Sequence, residues 1–487
     1  MDNNLVFFNK KAKKVCDNIN NFRSIWPPKV EEKEVLNEYL DSREFVSNKN
    51  DKIAEIENDM SNFLHTKYFS FFDSGASAIH SALIACNVTY GDEVIVPSWT
   101  FAAPAFQVLR VGAIPIFADI KLDTYNIDEN NVIELLNKFK KVKAIIAVHM
   151  QGYPSNLKKL RKIANDYNIK LIEDCAQAFG AKIDEQYVGT YGDIGCFSFM
   201  PVKQLASCGE LGGICTNNVD LFNNANSVKT YAQKIIEGDT NFYYNSFTYG
   251  YNYKPSALNC IFLKYQLEYF NTTISKIQSN ANRLTDFLMN NIAFLVLPII
   301  EPGYEHVYHL YRISCNTSDL NIKNTGNFRK LIMNILKEEG LTTRLYQTHP
   351  VYKQAIFQQI FCQDKSNLYP WLFNEEYIDL YRQNYSDINH EHTLAVINNT
   401  FAIGDTSSAP FYLMNPDIVE LYIEGFKKIA NNLHQIIEYC NNEENYISPY
   451  NEIAGLSDTK EILLIILSMI FRKTDLKLLT LFKNGLL

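Results

Sequence analysis

The chain has no C-x-x-C pair; its ten cysteines stand singly. Such scattering offers neither a zinc knuckle nor a disulfide framework, and reduced thiols are the simplest account. Positive charge is not in excess: 46 Lys and Arg face 54 Asp and Glu, a net charge of −8, so no nucleic-acid footprint is present. Lys10, Lys11, Lys13 and Lys14 have no apolar stretch behind them. The N-terminus therefore does not read as a signal peptide, and a cytoplasmic location is expected. Walker A, the Rossmann glycine pattern and H-E-x-x-H are all missing, which removes the P-loop, dinucleotide and zinc-protease classes. No metal is expected. In the tail, residues 462–471 form an apolar run broken only by Ser468, too short to span a bilayer. A helix packed on protein is favoured there over an interfacial membrane helix.

What is present fits a soluble globular protein: 487 residues, 47% apolar and 21% charged, enough for two or more domains. Residues 1–29 read as a polar arm closed by Trp26-Pro27-Pro28. Residues 30–62 look helical, with a break near 42–51. Strands are predicted at 68–72, 93–98, 113–120, 143–150, 170–172 and 192–199, with helices opening at Ser74 and covering 130–141. This alternation predicts an α/β fold with a mostly parallel sheet. A long helix at 275–291, a strand at 306–314 and a closing helix at 416–440 suit a second, smaller domain.

The chemistry centres on Lys203, in the stretch SFMPVKQLASCGELGG, with Ser198 five residues before it and Gly209, Gly212 and Gly213 after it. Apolar flanks desolvate an ammonium and lower its pKa, and a neutral amine can attack a carbonyl. Twenty-nine residues earlier, Asp174 ends a buried strand. Open α/β sheets bind ligands at the carboxyl ends of their strands. A carboxylate and a reactive lysine there suit pyridoxal phosphate (PLP), whose ring nitrogen the carboxylate keeps protonated. A helix cap by Glu173-Asp174 fits the same residues. The Ser74-Gly75-Ala76-Ser77 turn opens a helix whose N–H groups and dipole suit a phosphate, although a plain serine cap is the favoured reading of this turn alone. His149, at another strand end, reads as pocket lining or as a structural histidine.

Four strings in order, SGASAIHSAL, EDCAQAFGA, SFMPVKQL…GELGG and GYNYKPSALN, resemble the DegT–StrS family of PLP-dependent sugar aminotransferases, over roughly residues 26–433. The resemblance implies a fold-type-I transferase. Its large domain, residues 30–270, would carry a seven-stranded, mostly parallel sheet. A smaller C-terminal α/β domain would span 271–440, leaving a tail at 441–487. It implies that Lys203 holds PLP and that Asp174 pairs with the ring nitrogen. Gly75, Ala76, Ser77 and Ser198 would cradle the phosphate. Ala76 stands where the family usually has threonine, so one hydroxyl contact is missing. Phe101 would stack on the ring and Gln177 would sit near its hydroxyl. Asn252 would reach the phosphate of the neighbouring subunit's cofactor in a homodimer with shared sites. Lys254 replaces a usual arginine and loses its planar fork. Met200 stands where the family often has histidine or tyrosine. Tyr346 and His349, in the segment 343–350, are expected at the substrate.

The implied activity is transfer of an amino group from a donor such as glutamate to a nucleotide-linked keto sugar, in polysaccharide or glycan biosynthesis. A cyclitol-ketone aminotransferase or another PLP sugar-modifying enzyme is the alternative. A non-catalytic regulatory protein of this fold is disfavoured by intact Lys203, Asp174 and Ser198. Sugar dehydratase relatives carry histidine in place of the lysine.

Overall fold

The computed structural model describes residues 4–29, 31, 33–43, 51–233, 246, 249–358, 385, 388–405 and 410–442. The tail beyond residue 442 and most of the polar segment after 358 lie outside the described residues.

In chain order the strands are β1 (Tyr68–Phe72), β2 (Glu93–Pro97), β3 (Ile114–Ala118), β4 (Val142–Val148), β5 (Lys170–Asp174), β6 (Lys182–Ile183), β7 (Gln186–Tyr187), β8 (Ile194–Ser198), β9 (Gly212–Thr216), β10 (Leu295–Val296), β11 (Tyr304–Glu305), β12 (Arg312–Cys315), β13 (Thr343–Arg344) and β14 (Thr400–Ile403). Seven of them form one sheet in the order β1-β9-β8-β5-β4-β2-β3. Only β9 runs against the rest, pairing antiparallel with both β1 and β8. The other pairings are parallel. These strands are near-continuous apolar runs because helices cover both faces of such a sheet; β2, β3 and β9 are buried throughout. Six parallel strands place six carboxyl ends along one edge. Phe72, Pro97, Val148, Asp174 and Ser198 all end there.

The 22-residue helix Phe270–Asn291 leads to a second, antiparallel sheet, β10-β12-β14-β13. The two halves lock through Arg312. Its guanidinium donates to the carbonyls of Thr124 (2.6 Å) and Asp123 (2.5 Å) and lies 3.7 Å from the Tyr125 ring centroid.

Two expectations need correction. The strand predicted at 306–314 starts only at Arg312. Before it, the Val307 and Leu310 N–H groups donate to the carbonyls of Gly152 (3.0 Å) and Gln151 (3.3 Å), and Tyr308 takes φ 49°. The segment is thus held by a loop of the large sheet rather than by a strand partner. The closing helix is also two helices, Pro416–Asn431 and Leu433–Asn441, because Asn432 leaves helical geometry at ψ 16°.

The N-terminal arm is pinned. Glu339, fully buried, accepts the N–H groups of Val6 (2.8 Å) and Val15 (3.1 Å) and pairs with buried Lys428 at 2.8 Å. Leu5 and Ile19 join the core. Among the described residues, no helix is long and apolar enough to cross a membrane.

Candidate active site

At the end of β1 the chain turns through Asp73 into the helix Gly75–Ala85, capped by Ser74. Ser77 closes the capping box: its hydroxyl contacts Ser74 Oγ (2.8 Å) and donates to the Asp73 carboxylate. Ser77 therefore serves the cap. The N–H groups of Gly75 and Ala76 and the Ser198 hydroxyl make no hydrogen bond among the described residues. The turn fits only glycine at its closest approaches. A Cβ on Gly75 would lie 2.8 Å from Ser198 Cβ, and one on Gly212 would lie 2.2 Å from the Ser74 carbonyl. Unpaired amides at a helix N-terminus, beside a free hydroxyl, form an anion cradle.

Lys203 sits in the loop between β8 and β9. Burial pulls its pKa down to about 8, against the opposing pull of Asp174 and Glu210. Asp174, at the end of β5, accepts the Ala176 N–H at 3.0 Å, and no helix starts there. Burial pushes its carboxyl up, countered by that hydrogen bond, Lys203 and His149. The lysine loop is fastened from three sides. Lys203 N–H donates to Met200 O (2.9 Å), Gln204 Nε2 donates to Gln177 O (2.5 Å), and Trp26 Nε1 donates to Lys203 O (3.1 Å). The arm thus reaches the Lys203 loop.

Gln177 links two walls. Its Oε1 accepts the Gln151 N–H at 3.0 Å and its Nε2 donates to the Tyr346 hydroxyl at 2.9 Å. Trp99, buried at the end of β2, packs edge-on against Tyr346 with centroids 5.3 Å apart. Burial pushes the Tyr346 phenol up. Phe101 leaves the same strand end with 62% of its surface exposed. His349 pairs with Thr348 Oγ1 at 3.0 Å. Asn252 is exposed, bridged to Thr230 and accepting a hydrogen bond from Lys254.

His149, Glu173 and Cys175 form a buried group of metal-ligand types. The Glu173 oxygens already accept the N–H groups of Gly189 (2.6 Å), Tyr191 (2.8 Å) and Gly192 (2.5 Å). His149 Nδ1 accepts the Ser155 N–H (3.0 Å), so its proton lies on Nε2, facing Glu173 Oε2 at 3.1 Å. The trio shapes the 189–192 loop. His149 is structural.

Sequence reasoning missed His309, Gln204, Gln151 and the role of Trp26. His309 is buried, and Lys203 and Arg344 both act on its ring. Its one signal was a histidine inside an otherwise apolar run.

A lysine of lowered pKa and a carboxylate on the carboxyl edge of an α/β sheet are the groups that amine-nucleophile chemistry uses. The profile of the DegT/DnrJ/EryC1/StrS aminotransferase family matches residues 28–372, and the chain belongs to that family; it is an aminotransferase. GDP-perosamine synthase from Escherichia coli is 31% identical over 358 residues, 71% of this chain and 93% of that protein. A 3-oxo-glucose-6-phosphate:glutamate aminotransferase from Bacillus subtilis is 31% identical over 324 residues, 64% of this chain and 66% of that protein. The solved structure of NtdA from Bacillus subtilis with bound cofactor PMP shares the fold, with TM-score 0.66 at 24% identity over 88% of this chain and 86% of that one.

Proposed function

We propose that this aminotransferase uses PLP to move an amino group from an amino acid such as glutamate to a nucleotide-linked keto sugar, in polysaccharide or glycan biosynthesis. The observation that carries this reading is the gathering, at one sheet edge, of the Asp174 carboxylate at the end of β5, the Gly75–Gly212 turn and the loop that bears Lys203, whose pKa burial pulls down to about 8. The residues fit the cofactor. The Gly75–Gly212 approach leaves no room for side chains, and two amides and one hydroxyl stand unpaired where a phosphate would lie. The PMP-bound neighbour supports the same cofactor.

When bound, PLP supplies a carbonyl that takes up the amino group and a ring that draws electrons from the bond being broken. Gly75, Ala76 and Ser198 would hold the phosphate, and Ser77 holds the turn that presents them. Asp174 would keep a proton on the ring nitrogen. Phe101 and Gln177 would contact the ring. Lys203 would anchor the cofactor, and its amine, once released, would serve as the base that moves a proton. Tyr346 and His349 face the sugar. Asn252 acts in trans in a homodimer, and the enzyme works in the cytoplasm.

Sugar substrates are named for the relatives, one of them a phosphate rather than a nucleotide. The test is half-reaction turnover of glutamate-loaded enzyme against nucleotide-linked 3- and 4-keto sugars, a keto sugar phosphate and a cyclitol ketone. Turnover of a nucleotide-linked sugar is expected. Turnover confined to the phosphate or the cyclitol would overturn the substrate class.

A further inference from the structure

His309 is 8% exposed, and neither ring nitrogen makes a hydrogen bond among the described residues. Nδ1 is sealed from solvent without a partner, which leaves Nε2 as the nitrogen that a ligand can reach. Buried N–H groups without acceptors are rarer than buried acceptors without donors. The single proton of the neutral ring therefore belongs on Nε2. Neutrality is enforced by burial and by two cations, Lys203 and Arg344. The backbone fixes the position: the segment runs against Gly152, where a Cβ would lie 2.9 Å from His309 N. Gln151, next in that loop, bonds to Gln177. The imidazole is thus tied to the wall that carries Asp174 and Tyr346.

An N–H donor close to a guanidinium attracts an anion. In an amino acid, the carbon bearing the exchanging amine also bears a carboxylate. A donor whose amine takes the place of the Lys203 amine must set that carboxylate close by. We propose that His309 and Arg344 form the carboxylate subsite of the amino-acid donor, with His309 Nε2–H as one of its hydrogen-bond donors. This rests on the aminotransferase reading above and adds the position at which the donor is recognised.

The test uses holoenzyme with His309→Leu and His309→Gln, glutamine keeping an N–H near the Nε2 position. Glutarate, a dicarboxylate with no amine to react, is titrated calorimetrically, and the L-glutamate and keto-sugar half-reactions are followed separately. His309→Leu should weaken glutarate and glutamate about tenfold or more, with His309→Gln within about threefold of wild type. The KM for the keto sugar should stay unchanged. Unaltered glutarate binding in His309→Leu, or equal losses in both half-reactions, would overturn the subsite while leaving the aminotransferase reading intact. Wild-type enzyme that ignores glutamate but turns over with another amino donor would overturn the choice of donor instead.

Discussion

Lys203 differs from an ordinary surface lysine in one property, the pKa of about 8 that burial gives it against the pull of Asp174. Relative to a model lysine, roughly 300-fold more of the amine is neutral at neutral pH. Capture of free PLP by the apoenzyme should therefore speed up about tenfold per pH unit and level off near pH 8. A rate still climbing at pH 10 would place the nucleophile in water rather than in this recess. Asp174→Asn should bind the cofactor almost normally and lose transamination by orders of magnitude, because the ring nitrogen would no longer keep its proton. Full activity of that variant would take Asp174 out of the chemistry. The placement of both residues was legible in the sequence, since each lies next to a buried run and a turn, a local pattern. His309 was not, since its surroundings come from Lys203 and Arg344, remote in sequence, and its apolar neighbours read as strand.

The elements were largely legible where burial sets the pattern. The strands of the large sheet are apolar on both faces, and Ser74 marks the start of its helix. Legibility failed where long-range partners decide. Residues 306–310 look like strand but bond to the 151–152 loop, and the polar arm carries no periodic signal because it is held through its backbone. Its anchor is Glu339, 333 residues from Val6. Replacing Glu339 with alanine would leave the buried Lys428 ammonium with the Lys13 carbonyl but without its charge partner, a loss of about 3–5 kcal/mol. Urea denaturation should report that loss, with faster proteolysis within residues 4–29. A change below about 1 kcal/mol would mean that the arm is held elsewhere. Since Trp26 hydrogen-bonds the Lys203 carbonyl, releasing the arm should also loosen the lysine loop.

At the scale of the molecule, one sheet edge gathers β1, β2, β5 and β8, and the C-terminal half adds Tyr346 and His309. A single chain leaves Asn252 exposed, although the next residue, Tyr253, accepts the Asp73 N–H at 2.9 Å beside the cradle. If the sites are shared in a homodimer, mixing inactive Lys203→Ala with inactive Asn252→Asp chains should restore part of the activity. One site of each mixed dimer would then have both native residues. Mixed dimers that stay inactive while each parent folds and dimerises would exclude sharing.

The whole proposed chemistry depends on Lys203 carrying the cofactor. Borohydride reduction of PLP-loaded wild-type enzyme, followed by peptide mass mapping, tests it most directly. A reduced phosphopyridoxyl group is expected on Lys203, and none on the Lys203→Ala variant even where that protein still holds PLP non-covalently. The same group on any other lysine of the wild-type enzyme would contradict it.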